Sequence, residues 1–135
     1  MRIAEFKKLI NQIVIGIGGN VQSNGLSKNM FDICDSNGNI VKTYYVKISS
    51  SKVGFWGLTV NQINKLNNNN VPFSVVLISN DYIHILNDNV VNKDIHNNSN
   101  FPVAKDNEYK INAVKLKNTE SIKNVTGVIS ICKLF

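Results

Sequence analysis

The chain has 135 residues, of which 43% are hydrophobic and 18% charged, which suits one compact domain and argues against wholesale disorder. Fifteen lysine and arginine residues against nine aspartate and glutamate residues give a net charge of +6, which favours a polyanionic partner such as nucleic acid, although ordinary solubility charge is the alternative. No run of about 18 apolar residues is present, so the sequence predicts no membrane span and an intracellular, cytoplasmic location.

The first predicted element is an amphipathic helix over residues 2–15. Its apolar side chains recur at the spacing of one helical face, namely Ile3, Phe6, Ile10 and Ile13. The glycines that follow at 16, 18 and 19 end this helix. The polar stretch 20–29 is interpreted as a loop.

A β-hairpin is predicted next. Residues 30–34 and 40–48 form its strands, and Asn37-Gly38 between them suits a type I′ turn. Along the second strand, Tyr45 and Lys47 share one face, and the alternate residues on the other face are predicted to meet the core, namely Tyr44, Val46 and Ile48.

A helix over residues 59–66 follows a polar loop at 49–54. Thr59 and Gln62 match a capping box, in which both side chains bind exposed backbone N–H groups. The apolar run 71–78 predicts a buried strand that lies parallel to 40–48 after a right-handed crossover.

The remaining residues predict a short strand at 82–86, an irregular stretch at 87–108, a strand at 109–116, a helical turn at 119–123 and a last strand at 127–134. The predicted fold is α/β, with a mixed four- to five-stranded sheet flanked by helices. One domain covers residues 1–135, with a core at about 2–86 and an antiparallel extension at about 87–135.

The hairpin brings candidate catalytic groups together. Asp32 lies in its first strand and Lys47 in its second. In metal-assisted phosphodiester cleavage, carboxylates hold divalent cations such as Mg²⁺, and a lysine orients the attacking water or stabilises developing negative charge.

These residues resemble the PD-(D/E)XK nuclease superfamily, which includes Holliday-junction resolvases and restriction endonucleases. Asp32, in MFDIC, corresponds to the first aspartate of the motif, and Lys47, in YYVKIS, to its lysine. Glu5 stands where related enzymes often carry an accessory acid, and Gln62, in VNQINKL, resembles a glutamine on the helix after the lysine strand. The resemblance implies a restriction-endonuclease-like core, Mg²⁺ held by Asp32 and Glu5, catalytic roles for Asp32, Lys47 and Gln62, and a homodimer.

The sequence departs from this motif at Tyr45, which occupies the place of the second acid. A phenol, with an ordinary pKa of about 10, is a poor magnesium ligand at neutral pH. Tyr45 is either a half-buried strand aromatic or a stacking platform for a base or sugar.

Each of the other residues also has a structural interpretation. Asp32 can accept hydrogen bonds from backbone N–H groups near the turn, and Lys47 can be a solvated strand lysine. Gln62 can serve only the capping box, and Glu5 can be a surface helix residue.

The leading functional prediction is nucleic-acid binding on a nuclease-type core, with DNA preferred, and with Mg²⁺-dependent endonuclease activity if the metal site forms. Tyr45, Lys28 and Lys52 are the predicted nucleic-acid contacts. The alternative is a catalytically inactive nuclease-fold protein that acts as a DNA-binding or protein-interaction factor.

Overall fold

The computed structural model describes residues 2–49, 54–80, 82–97, 101, 103–116 and 119–123. The helices are α1 (Ile3–Gly16), α2 (Val60–Asn68) and α3 (Asp88–Val90), and α3 runs on into a π-helical segment, Val91–His96. The strands are β1 (Asn20–Ser23), β2 (Met30–Cys34), β3 (Ile40–Ile48), β4 (Phe55–Thr59), β5 (Phe73–Ile78), β6 (Tyr82–Asn87), β7 (Glu108–Asn112) and β8 (Glu120–Lys123).

The main sheet is mixed and has the strand order β1-β2-β3-β5-β6-β8. β3 and β5 run parallel, and every other neighbouring pair in this sheet is antiparallel. β4 and β7 form a separate two-stranded antiparallel sheet. The α/β class with a mixed sheet is therefore confirmed, but the described residues contribute six strands to it, where the sequence predicted four or five.

Helix α1 covers one face of the main sheet. Its buried residues pack against side chains that point to that face from four strands, namely Phe31, Ile33, Tyr44, Val46, Val76, Ile78 and Ile83. The amphipathic pattern of residues 2–15 correctly predicted this helix, because the spacing of Ile3, Phe6, Ile10 and Ile13 places these side chains against the sheet.

The opposite face of the sheet is covered as well, by α2, the π-helical segment and the β4–β7 sheet. The main contributors are Tyr45, Trp56, Leu58, Ile63, Leu66, Val75, Leu77, Val91, Ile95 and Ile111. The predicted alternation of side chains along β3 is correct, but both of its faces meet a core. Ile48, predicted to be in the core, lies at the end of the strand and is 42% exposed.

The predicted connection between parallel strands is present. β3 and β5 pair in parallel from Thr43 opposite Phe73 to Ile48 opposite Ile78, and α2 lies between them in the chain. Thr59 caps α2 as predicted, because its side chain accepts a hydrogen bond from the N–H of Gln62 over 3.3 Å. The connection also contains β4, a strand that the sequence did not predict.

Four other elements differ from the prediction. The strand predicted at 109–116 is β7, which ends at Asn112 and is followed by a 3-10 helix, Ala113–Lys115. β1 lies in the stretch interpreted as a loop, the π-helical segment lies in the stretch interpreted as irregular, and β8 replaces a predicted helical turn. β1 and β8 add to the main sheet beside β2 and β6, so pairing with a neighbouring strand outweighs their weak local patterns. The predicted last strand at 127–134 lies outside the described residues.

The hairpin turn between β2 and β3 is not of type I′. That turn requires a positive φ at both central residues, whereas only Gly38 has one here, at 81°. Asp35 organises the turn instead, because its Oδ1 accepts hydrogen bonds from the N–H groups of Asn37 and Asn39 over 2.9 and 3.0 Å.

No helix within the described ranges is long and apolar enough to cross a bilayer.

Gly19 is expected to be intolerant of any side chain. A Cβ at this position would collide with the carbonyl oxygen of Cys34 and lie 2.8 Å from Val14 Cγ1. Because a backbone carbonyl in a strand cannot move aside cheaply, we expect Gly19→Ala to lower the free energy of unfolding by about 1–3 kcal/mol in urea titrations.

Gly16→Ala is the matched control for that change, since a Cβ at Gly16 has no neighbouring atom within 4 Å. It should be neutral, or stabilising by up to about 1 kcal/mol through helix propensity. Equal effects at the two positions would show that the close approach of Gly19 to β2 is wrong.

Candidate nucleic-acid interface

Asp32 is a buried carboxylate in the middle of β2, with only 6% of its surface exposed. Its Oδ1 accepts hydrogen bonds from Thr43 Oγ1 over 2.6 Å and from Asn24 Nδ2 over 2.9 Å. Thr43 is its partner on β3, and Asn24 opens the loop between β1 and β2. Asp32 therefore joins the sheet to that loop through two side chains, rather than through the backbone N–H groups that the sequence suggested.

The structure does not bring Asp32 and Lys47 into contact. Both side chains point to the α2 face, but Asp32 stands opposite Thr43, four residues before Lys47 on the same strand. At about 3.3 Å per residue, this offset is about 13 Å along β3, with Tyr45 between them. The expectation that the hairpin places the acid beside the lysine is therefore wrong in register, although the two groups share a face.

Tyr45 is part of the core. Only 3% of it is exposed, and it packs with Met30 and the residues of α2 and β4. Its hydroxyl donates a hydrogen bond to Gln62 Oε1, and the ammonium of Lys47 lies 5.9 Å from the centre of its ring. The structure thus corrects the prediction that Tyr45 contacts nucleic acid, because neither face of its ring is open to a base.

The environment of Tyr45 also strengthens the argument against a metal ligand at this position. Burial, together with the nearby carboxylate of Glu108, raises the pKa of the Tyr45 hydroxyl to about 12. The phenol is therefore a neutral hydrogen-bond donor over the whole physiological range, which is the role it has toward Gln62.

Gln62 forms only the Thr59 half of the capping box that the sequence predicts, because its side-chain oxygen bonds to the Tyr45 hydroxyl. Neither contact is one of the catalytic roles that the resemblance implies. The N–H of Gln62 completes the cap of α2 on Thr59, and its side-chain oxygen accepts from Tyr45. This hydrogen bond ties α2 to the sheet, which is a packing function.

Glu5 does not join Asp32. Glu5 is exposed on α1, and α1 packs on the sheet face that Phe31 and Ile33 present. Asp32 alternates with those two residues, so its side chain points to the other face. The sheet separates the two carboxylates, and the predicted two-acid Mg²⁺ site does not form.

Within the described part of the chain, no group of three or more His, Cys, Asp or Glu side chains is placed to hold a metal ion. The oxygen ligands that Mg²⁺ requires are not gathered around Asp32, whose neighbours are an amide and a hydroxyl. The residues around Asp32 therefore do not fit the magnesium site that the resemblance implies.

A cleft lies between α1 and the loop of residues 24–29 and has a volume of about 510 Å³. Lys7 from the helix and Lys28 from the loop both line it, together with Ser27 and Asn24. No acidic side chain lines the cleft among the residues that the structure describes. The charged side chains in its lining are therefore both cations, and one of them, Lys28, is a predicted nucleic-acid contact.

The loop that walls this cleft is held by its own hydrogen bonds. Asn24 Oδ1 accepts from the N–H of Leu26 over 2.8 Å, and Ser27 Oγ accepts from the N–H of Asn29 over 3.1 Å. The carbonyl of Asn29 in turn accepts from the N–H of Val46 in β3 over 2.9 Å. With the bond from Asn24 to Asp32, these contacts fix the wall of the cleft before any ligand binds.

No family model, curated protein or solved structure matches this chain. Its function is therefore argued from its own residues.

A second groove, of about 320 Å³, lies between α1 and Val21 of β1, and its lining includes Lys7, Lys8 and Asn11. Lys7 belongs to both grooves. The ion pairs found among the described residues are those of Lys110 with Asp106 and Glu108, so the cations of these grooves are unpaired there. We call this surface, made by Lys7, Lys8 and Lys28, the α1 basic surface.

Sequence reasoning missed Lys7, Asn24 and Ser27 as candidate site residues. Lys7 and Lys8 were visible as the only adjacent pair of lysines, and that pair on a helix was the available signal. Asn24 and Ser27 gave none, because their place in the cleft wall depends on the pairing of β1 with β2. Lys52, the remaining predicted contact, lies outside the described residues.

Proposed function

We propose that this protein binds DNA through the α1 basic surface and does not cleave it. The observation that carries the proposal is a pair of grooves that share Lys7. Their cations, Lys7, Lys8 and Lys28, have no acidic neighbour in the groove linings of the described structure. Lysines that neutralise phosphates supply the sequence-independent part of DNA affinity. The net charge of +6 adds long-range attraction of the same sign.

The nuclease-type core remains part of the proposal as a scaffold. The order of a hairpin, a helix and a strand parallel to the second hairpin strand agrees with the resemblance described above. Binding without cleavage is favoured because Asp32 is engaged by Thr43 and Asn24, and because Tyr45 and not an acid lies between Asp32 and Lys47. A homodimer stays a prediction from the resemblance.

The test is the salt dependence of duplex DNA binding, measured by fluorescence anisotropy for the full chain and for a triple variant of the α1 basic surface, Lys7→Gln/Lys8→Gln/Lys28→Gln. Each phosphate contact contributes about −0.9 to the slope of log K against log salt, so three contacts give about −2.7. The wild-type affinity should then fall about 40-fold between about 50 and 200 mM salt. The slope measured for the triple variant should be shallower by about 2.7.

The matched control is Lys65→Gln/Lys93→Gln/Lys105→Gln, which removes the same charge from exposed lysines elsewhere. Lys65 and Lys93 lie on α2 and the π-helical segment, across the sheet from α1. This control should keep most of the wild-type slope. If both triple variants weaken binding equally, net charge alone explains the affinity and the α1 basic surface is not the binding site. If the wild type binds no DNA at low salt, the proposed function is wrong.

A further inference from the structure

The cleft between α1 and the 24–29 loop has the size of a ligand pocket. Its volume of about 510 Å³ lies within the range of about 300–1,000 Å³ in which proteins bind small molecules and cofactors. A surface that only tracks a duplex backbone needs no such concavity, because the phosphates of a duplex are on its outside. The cavity therefore suggests that part of the ligand enters it.

One side of the cleft is built for a phosphate. Lys7 and Lys28 approach it from two different elements, and neither is ion-paired within the described structure. Ser27 Oγ accepts the N–H of Asn29, so its hydroxyl hydrogen is available as a further donor. Two ammonium groups and a hydroxyl provide charge-assisted hydrogen bonds, which anionic oxygens accept well.

The other side is apolar. On this side Ile3 of α1 is partly buried, whereas Met30 and Phe31, at the start of β2, reach the cleft with only 2% of each residue exposed. Phe31 is held by the rings of Phe6 and Tyr44, at 6.1 and 5.5 Å between ring centres, so this wall is rigid. The accessible apolar surface is therefore that of Ile3, and one face of a planar base can lie against it.

We propose that the cleft receives one unpaired nucleotide, with its phosphate on Lys7 and Lys28 and its base on the apolar wall, so that the protein prefers single-stranded DNA to duplex DNA. This inference rests on the proposed function and deepens it. In a duplex, each base is stacked and paired, and entry into the cleft requires it to leave the stack, which is energetically unfavourable. The bases of a single strand are already unpaired, so they are free to contact protein without this unfavourable step.

The test fills the cavity without changing its charge. Gly25 lines the cleft, and a Cβ built on it has no atom within 4 Å, so Gly25→Phe adds a ring to the wall without a clash at Cβ. The matched control is Gly16→Phe, at a glycine whose surroundings are equally open but which lies at the far end of α1. Circular dichroism and urea titration of both variants establish that they are folded.

The probes are a short single-stranded DNA oligonucleotide, the blunt duplex of the same sequence and the single-stranded RNA of that sequence, all measured at one salt concentration. We expect the wild type and Gly16→Phe to bind the single-stranded DNA at least about 10-fold more tightly than the duplex, since only the single strand gains the contacts of a base in the cleft. We expect Gly25→Phe to lose this preference and to keep duplex binding.

Equal binding of single-stranded and duplex DNA by the wild type, or a preference that survives in Gly25→Phe, would overturn this inference while leaving duplex binding by the α1 basic surface intact. Tighter binding of the RNA strand would overturn the assignment to DNA. If none of the three probes binds, the proposed function itself fails, so the two failures are distinguishable.

Discussion

Tyr45→Glu, the change that restores the second acid of the (D/E)XK motif, is expected to destabilise the protein and to create no magnesium-dependent nuclease. Tyr45 is 3% exposed and packs between the sheet and α2, so the new carboxylate would be buried. Asp32 stands opposite Thr43 and not opposite position 45, and Glu108 is close enough to add repulsion. A buried carboxylate costs several kcal/mol, of which the nearby Lys47 ammonium offsets only a part, and we expect a loss of at least about 3 kcal/mol in urea titrations at neutral pH.

This loss should depend on pH in a known direction. Burial raises the pKa of a carboxyl group, so the folded variant binds its proton more tightly than the unfolded chain does. The deficit should therefore be smallest below the unfolded pKa of a glutamate, about 4.3, and should grow as the pH rises above it. Unfolding titrations of the variant and the wild type at acidic and neutral pH measure this difference.

Tyr45→Phe is the control, since it keeps the ring and removes only the hydrogen bond to Gln62. It should cost about 1 kcal/mol and leave DNA binding unchanged. A folded Tyr45→Glu variant of wild-type stability that cuts DNA with Mg²⁺ would contradict the buried position of Tyr45 and would restore the nuclease interpretation.

Asp32→Ala is expected to reduce both the stability of the protein and its affinity for DNA. The carboxylate accepts from Thr43 and Asn24, so its removal leaves two buried or half-buried donors without an acceptor. Hydrogen bonds to a charged group contribute about 1.5–3 kcal/mol, and we expect a loss of about 2–3 kcal/mol in urea titrations. Affinity for DNA should fall because Asn24 no longer anchors the loop that carries Lys28.

Asp32→Asn separates this role from metal binding. The asparagine keeps an oxygen that both donors can reach, so this variant should lose less than half as much stability as Asp32→Ala and should keep DNA binding. If Asp32 served only as a metal ligand, Asp32→Ala would leave the stability of the protein and the α1 basic surface unchanged. If Asp32→Ala has the same urea midpoint of unfolding as the wild type and binds DNA with the same affinity, Asp32 does not anchor the loop.

The local elements with strong periodic signals were predictable from the sequence. The apolar spacing in α1, the alternation along β3 and the Thr59 cap of α2 are properties of neighbouring residues, and the structure confirms each of them. β1 and β8 were not predictable in this way. In β1 only Val21 is apolar, so the strand exists because β2 offers it a ladder of hydrogen bonds.

The candidate site was predictable only in part. Lys28 and the Lys7–Lys8 pair were visible as cations, but nothing local indicates that the 24–29 loop folds over α1 to make a cleft between them. The predicted site around Asp32 failed for a reason of register. A pairing of β2 with β3 shifted by two residues would place the Asp32 carboxylate beside position 45, whereas the observed pairing places it beside Thr43. Side chains alternate in the same way in both pairings, so the alternation does not reveal which of them forms.

The sequence by itself determined the amphipathic first helix, the two hairpin strands, the capped second helix, the positive charge and the absence of an acid at position 45. These features depend on residues a few positions apart, whose spacing and chemistry act within one element. Only the tertiary structure decided that Glu5 and Asp32 lie on opposite faces of the sheet, that Tyr45 is buried, and that three lysines line connected grooves. These features depend on strand register and on how a helix and a loop from different parts of the chain pack together, and residue spacing does not specify either.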